Sequence, residues 1–359
     1  MKTVLVGDFC AIEKNMDVVK AKDLNKLFND TLPVFEGNDL MFVNVECAIT
    51  ESENAIKKFG PNLKVCREAA DVLKSIGTTV CGLSNNHIFD YGREGALDTI
   101  KALEAVGIEY TGFGKNYEDS RKNYIFSKDG EKIALVAVCE HEYSYALENR
   151  MGSRPFDPFE TMEDIRKAKK EADRVIVLYH GAKEMCQYPS PRIIKACREM
   201  VHNGADVILC QHTHCISCYE EYKGAHILYG QGNFNFINEN APEIWNQSLI
   251  VKYDTKTNEM EFIPTCNTEF GIELAKDELK DKIMREFEER NDSLKDGRWI
   301  KGWREFCESV KDVYLLAAQS GGKITASSTE EFFAHYIDCE AHSDVWKELF
   351  KTWNHENEL

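Results

Sequence analysis

Apolar and polar positions fall in alternating blocks along this chain. Short apolar runs at residues 3–7, 40–43, 79–83, 133–138, 175–179, 207–210 and 227–229 are rich in β-branched side chains and end in polar or glycine turns. That is the pattern of buried strands. Residues 66–76, 93–106, 160–172 and 191–203 repeat apolar positions at helical spacing. Pro191 suits a first helical turn with Ser190 as its cap. Gly77, Gly107 and Gly204 each follow a helical pattern, where a left-handed residue closes a helix. Strand-then-helix alternation predicts an α/β layered fold. Between residues 227 and about 263 strands follow one another with less helix, which predicts an antiparallel portion of the same or a second sheet. Beyond Ala275 the pattern turns helical, at 273–291, 299–318 and 329–353, with 319–328 as a loop. Trp299, Trp303, Trp346 and Trp353 are the expected packing anchors there. The predicted division is a main domain over 1–270 and a helical C-terminal extension over 271–359 packed on it.

Polar residues with metal-binding chemistry cluster directly after the predicted strands. The first strand ends in Gly7-Asp8 and the second in Asn44-Val45-Glu46. The third runs into Asn85-Asn86-His87, with Asp90-Tyr91-Gly92 following. Later strands end in His180-Gly181, with Glu184 close behind, in Gln211-His212-Thr213-His214, and in Gly230-Gln231-Gly232-Asn233-Phe234. Open α/β sheets bind ligands at the carboxyl ends of their strands. Carboxylate, amide and imidazole donors suit Mn, Zn or Fe. Singly, each motif has a plain structural reading; Asp8 can cap a turn, and Asn-Asn-His can be a turn holding a satisfied histidine. Delivered in order by six strand ends, they point to one divalent metal centre.

Composition narrows the partners. The 359 residues carry 44 basic and 61 acidic side chains, a net charge of −17. Such a surface repels nucleic acid and anionic membranes at long range, so neither is an expected partner. Thirteen cysteines, an odd number scattered over the chain, favour a reducing compartment. The stretch after Met1-Lys2 is too short for a signal-peptide core, and no apolar run reaches the length of a membrane span. The expectation is a cytoplasmic protein with no direct membrane insertion; the oligomeric state stays open. Cys215 and Cys218 form a C-x-x-C, read as small buried residues or free thiols. His141 is read equally as pocket lining or as a surface turn. His202, His226, His335, His342 and His355 carry no supporting pattern.

The motif series from Gly7-Asp8 to Gly232-Asn233-Phe234-x-Phe236 resembles the CapA family of bacterial poly-γ-glutamate capsule-synthesis proteins, a branch of the calcineurin-like metallophosphoesterases. The resemblance spans roughly residues 1 to 265 and implies a four-layer α/β/β/α sandwich with a dinuclear metal site; with this chain's departures from the family pattern, the expectation is one or two divalent ions. It implies metal ligation by Asp8, Glu46 or Asn44, Asn86, His180, His212 and His214. His87 would be the family's non-ligand histidine that serves a leaving group; Glu184, placed for a proton shuttle with His180, and Asp90 are the further catalytic candidates. Cys10 stands where metallophosphoesterases carry a histidine, which bears on whether a second ion is held. The implied activity is hydrolysis of a phosphoester or a γ-glutamyl amide bond by a metal-bound hydroxide, on a small-molecule or polymer substrate. The alternative is a non-catalytic accessory role in capsule polymer synthesis.

Overall fold

The computed structural model describes residues 1–140, 142–320 and 329–350. Expectations that fall on His141, Trp353, His355 and most of the 319–328 loop lie outside those residues.

Two sheets form the centre. In the first, β1 (Lys2–Phe9), β2 (Leu40–Val45), β5 (Val80–Gly82) and β6 (Glu109–Thr111) run parallel. The strands β15 (Gln247–Asp254), β16 (Glu259–Asn267) and β17 (Ile272–Leu274) extend it antiparallel beyond β1. The second sheet has the order β13-β14-β12-β11-β9-β8. Its parallel core is β9 (Glu131–Cys139), β11 (Arg174–His180), β12 (Val207–Gln211) and β14 (Ala225–Leu228). The edges β8 (Tyr124–Lys128) and β13 (Tyr219–Tyr222) are antiparallel. Two short pairs, β3 (Ala48–Ile49) with β4 (Lys64–Val65) and β7 (Phe113–Gly114) with β10 (Gly152–Ser153), tie connecting loops.

Side-chain alternation along these strands builds four layers. Leu5, Phe42, Leu135, Leu178 and Leu209 share the core between the two sheets. Their neighbours Val4, Val6 and Val43 face outward into a second core. That core is closed by α1 (Met16–Lys20), α2 (Leu24–Phe28), α3 (Glu68–Ser75) and α4 (Gly92–Ala105). On the far side Val136, Val177 and Ile208 pack against α6 (Glu160–Glu171) and α7 (Pro191–His202). A short α5 (Tyr117–Ser120) lies beside β7. Strands buried on both faces explain the continuous apolar runs in the sequence. Ser190 caps α7 as expected, its hydroxyl accepting from the Ile193 amide at 3.2 Å.

The C-terminal part departs from the sequence reading at two points. Residues 272–274 pair with β16 before α8 (Asp277–Asp296) begins, so the sheet reaches past the expected boundary and the helix starts later. Ile272 is buried in the core while Glu273 and Leu274 are half-buried, a strand signal too short to outweigh the charged helical pattern that follows. The helix expected over 329–353 is two helices, α10 (Thr329–Asp338) and α11 (Glu340–Leu349). The break falls at buried Cys339, whose backbone is extended (φ −119°, ψ 156°). With α9 (Trp299–Ser320) they enclose Trp303, Cys307, Tyr314 and Val345. Trp346 packs there too, its indole N–H donating to the Tyr336 carbonyl at 2.6 Å, and Trp299 packs against the second sheet's outer core. Among the described residues no helix is long and apolar enough to cross a membrane.

Candidate metal centre

The carboxyl ends of β1, β2, β11 and β12 converge on one buried point. Asp8 lies on β1 at an irregularity between Val6 and Asp8 in the pairing with β2. The adjacent Gly7 is required by packing, because a Cβ there would sit 2.1 Å from the Gly232 carbonyl oxygen. The 230–234 loop crosses at this place, and the Phe234 amide donates to the Asp8 carbonyl at 2.7 Å. Beyond β12 the chain turns sharply. His212 and His214 both adopt left-handed backbone (φ 81° and 52°), a conformation that costs energy in a non-glycine residue. The turn aims the His212 amide at Asp8 Oδ2, 2.9 Å away.

Six of the expected ligands gather here, and Asn44 joins them as a brace. Ligand atoms of Asp8, Glu46 and His180 lie within 4.8 Å of one another, and so do those of Glu46, His212 and His214. Glu46 is common to both groups. Its Oε1 stands 3.2 Å from His180 Nε2 and 3.8 Å from both His212 Nδ1 and His214 Nε2. Asn86 Oδ1 is 2.8 Å from His180 Nε2. The Asn44 amide donates to Asp8 Oδ1 at 2.6 Å and faces His180 Nδ1 at 3.1 Å. Asn233, quoted in the motif series without a role, holds His214 Nδ1 at 2.8 Å, as outer partners of ligand histidines do. Trp245, which the sequence did not flag, lays its ring 4.4 Å from that of His214.

Electrostatics fit a cation at this point. Burial pushes the Asp8 carboxyl up to about 6, and the Glu46 charge adds to the rise. Burial likewise raises Glu46. Burial drives His180 down to about 3, which keeps its ring neutral. Burial opposes protonation of His214, but the charges of Glu46, Asp8 and Glu184 outweigh it and raise the group. Among the described residues no backbone or amide donor reaches either Glu46 oxygen, although the side chain is fully buried; its polar neighbours are the Asp8 carboxyl and the imidazoles. A buried carboxylate without such donors is strongly disfavoured unless a positive charge compensates it. Two carboxylates, three imidazoles and an amide oxygen are the donors that a divalent transition ion takes. Cys10 joins neither ligand group; it lies in the apolar core, and burial beside Cys47 pushes its thiol far up. Cys215 and Cys218 are buried, and no disulfide links any of the thirteen cysteines.

A cavity of about 180 Å³ opens beside the cluster, lined among others by Asn86, His87 and Glu184. His87 Nδ1 lies 2.6 Å from Asp90 Oδ2, and Asp90 also accepts from the Leu63 amide at 2.7 Å. Lys58, buried and paired with Asp90, stands 3.1 Å from the same ring nitrogen. Glu184 is partly exposed, its Oε1 3.7 Å from His212 Nε2. Lys58, Tyr143 and His335 also line this cavity; no motif in the sequence pointed to them. Asn85, adjacent to Asn86, turns the loop instead, accepting from the His87 and Ile88 amides at 3.1 and 2.9 Å.

Comparison with known proteins places the chain in a family. Residues 2–238 match the family described as bacterial capsule synthesis protein PGA_cap. The capsule biosynthesis protein CapA of Bacillus anthracis is 29% identical over 266 residues, covering 71% of this chain and 64% of that protein. The chain thus spans less than two thirds of that relative's length. The PGA biosynthesis protein CapA of Bacillus subtilis (strain 168) is 30% identical over 295 residues, covering 78% of this chain and 76% of that protein. Among solved structures, a hypothetical protein from Thermus thermophilus superposes with a TM-score of 0.47 at 16% identity, covering 74% of this chain and 98% of that one. The matched span contains every strand end that feeds the cluster, and the chain belongs to the CapA family of bacterial capsule synthesis proteins.

Proposed function

We propose that this chain is a metal-dependent hydrolase that cleaves a phosphoester or a γ-glutamyl amide bond. The observation that carries the reading is Glu46: a fully buried carboxylate with no backbone or amide donor among the described residues, surrounded by three imidazoles and a second carboxylate. Asp8, Glu46, Asn86, His180, His212 and His214 would hold the ion, Mn, Zn or Fe, and Asn44 would orient Asp8. Such an ion acidifies water and polarises a substrate oxygen.

The protein's own groups divide the remaining work. Asp90 holds His87 through Nδ1 at 2.6 Å, which leaves Nε2 as the nitrogen that gives a proton to a leaving group. Lys58, paired with Asp90, fixes the same arrangement. Glu184 borders both the cavity and His212, where it can take a proton from an attacking water. Groups of this kind contribute about 10²–10⁴-fold to rate.

Metal analysis of the purified protein, followed by assays on phosphomonoesters, phosphodiesters and a γ-glutamyl peptide, tests the reading. Asp8→Ala and His214→Ala should lose the ion. His87→Ala should retain it while turnover falls about 10²–10⁴-fold. A protein that binds no transition ion would sink the hydrolase reading; full activity in His87→Ala would sink the assigned role. A second reading draws support from the printed names of the two Bacillus relatives, which describe biosynthesis proteins: an accessory part in polymer synthesis, with the cluster binding rather than cleaving. Metal retention without turnover on any of the three substrate classes would favour it.

A further inference from the structure

The C-terminal helices lie beyond the span that matches the family, 2–238, yet one of them, α10, reaches the cavity through His335. We infer that α10 supplies one wall of the substrate pocket, that His335 touches the substrate, and that this small pocket admits a small oxyanion-bearing molecule or the end of a polymer, not a polymer's interior. This rests on the hydrolase reading of the same site.

Phe332, His335 and Tyr336 share one face of α10 by their i, i+3, i+4 spacing. All three meet Phe59, with ring centroids 5.2, 4.8 and 6.2 Å away. Phe59 belongs to the loop that carries Lys58, and its amide donates to the Tyr143 hydroxyl at 3.3 Å. An ion pair between Lys57 and Glu331 joins loop and helix at the surface. From the other side the His342 ring of α11 stands 4.4 Å from that of His335. The imidazole is therefore held between two packed elements while it lines the cavity.

The chemistry of the lining identifies the ligand class. The inner end of the cavity adjoins the metal ligands, since Asn86 reaches His180 at 2.8 Å and Glu184 reaches His212 at 3.7 Å. The Lys58 ammonium, the His87 imidazole and His335 line the same cavity. An oxyanion seated toward the metal, with its substituent directed at α10, satisfies those donors. The volume of about 180 Å³ lies below the roughly 300 Å³ at which pockets begin to enclose drug-sized ligands. A phosphate or a single terminal residue fits that space, and the rest of a longer chain would have to lie outside it. The chain's charge of −17 also disfavours a long polyanion laid across its surface.

The test is calorimetric titration of the full-length, metal-loaded protein with inorganic phosphate and, separately, with L-glutamate. Wild type is expected to bind at least one, and which one distinguishes a phosphate from a carboxylate ligand. His335→Ala should weaken that binding about tenfold with metal content unchanged, the loss of one hydrogen bond to a charged group. Should that variant not fold, His335→Leu keeps bulk against Phe59, removes the ring nitrogens and makes the same comparison. Titration with γ-linked polyglutamate of two lengths at equal concentration of chain ends should give equal affinity per end. Unchanged affinity in the His335 variant, binding of neither probe by wild type, or affinity that grows with polymer length would overturn the inference. Absence of metal from the wild type would instead defeat the hydrolase reading, and the phosphate and glutamate titrations on metal-free protein would still decide the role of His335.

Discussion

As a metal ligand in the proposed site, Asp8 would meet two opposed demands. Ligation needs it ionised, and its surroundings resist ionisation, holding the carboxyl near 6 where an exposed aspartate sits at 3.8. In metal-free protein the folded state keeps a proton that the unfolded chain releases between those values, so this group's contribution to stability falls as pH rises through that window. Asp8→Asn removes the charge that the fold must otherwise bury. In chelator at pH 7 the variant should therefore be more stable than wild type, by about 2–3 kcal/mol, and the gap should close toward pH 4. With metal present the order should reverse, because the variant loses a ligand. Denaturant melts at the two pH values, with and without chelator, check both signs; a wild type that stays the more stable in chelator at pH 7 would contradict the proposed strain. The residue types of the cluster were legible in the sequence because each ligand follows a strand. Lys58 and His335 were not, since neither neighbours a strand end and both reach the cavity only through packing. The choice of Asn86 over Asn85 comes from the family resemblance and not from local pattern, because adjacent identical side chains are separated only by the path of the backbone.

At the scale of elements, the site depends on how closely β1 approaches the 230–234 loop. Gly7 has no room for a methyl group: its Cβ would lie 2.1 Å from a backbone oxygen that belongs to a loop held by Gln231, whose amide donates to the Leu5 and Leu249 carbonyls at 2.7 and 3.0 Å. Gly7→Ala must push the loop away from β1, at an overpacking cost of about 1–3 kcal/mol or more. The same shift would carry Asn233 away from His214 and open the ligand set. A lower melting temperature together with weaker metal affinity is the expected result; lost stability with full metal affinity would mean that the loop moves independently of the ligands. Strands and most helices were legible because buried runs and 3.6-residue periodicity are local signals. The break at Cys339 was not, because neither glycine nor proline marks it. What separates α10 from α11 is the closure of helices around Trp303 and Tyr314, which only tertiary packing specifies. The same holds for β17, whose hydrogen bonds come from a partner strand and not from its own composition.

Across the whole molecule, one chain of charges runs from the helical extension toward the candidate metal centre. Asp344 on α11 accepts from Ser190 at 2.6 Å and from Arg192 Nε at 2.9 Å. Arg192 also meets Glu140 at 2.6 Å, and Glu140 in turn accepts from the Ala182 amide at 2.9 Å, two residues past His180. Burial would raise the Glu140 carboxyl, yet Arg192 and its other donors hold it below the usual range. Burial raises Asp344 in spite of the same guanidinium, so Glu140 is the firmer partner and Asp344 the weaker joint. Asp344→Ala should accordingly leave Arg192 paired with Glu140 and cost only about 1–3 kcal/mol, while it loosens the helix that backs His335. We expect the extension and the sandwich to unfold in one transition in wild type. In the variant we expect faster amide hydrogen exchange in α10 and α11 and weaker phosphate or glutamate binding, with metal content unchanged because no ligand has moved. If exchange quickens in the helices but oxyanion affinity holds, the extension is packed on the site without shaping it. If both change together, a part of the chain outside the family match sets what this metal centre can admit.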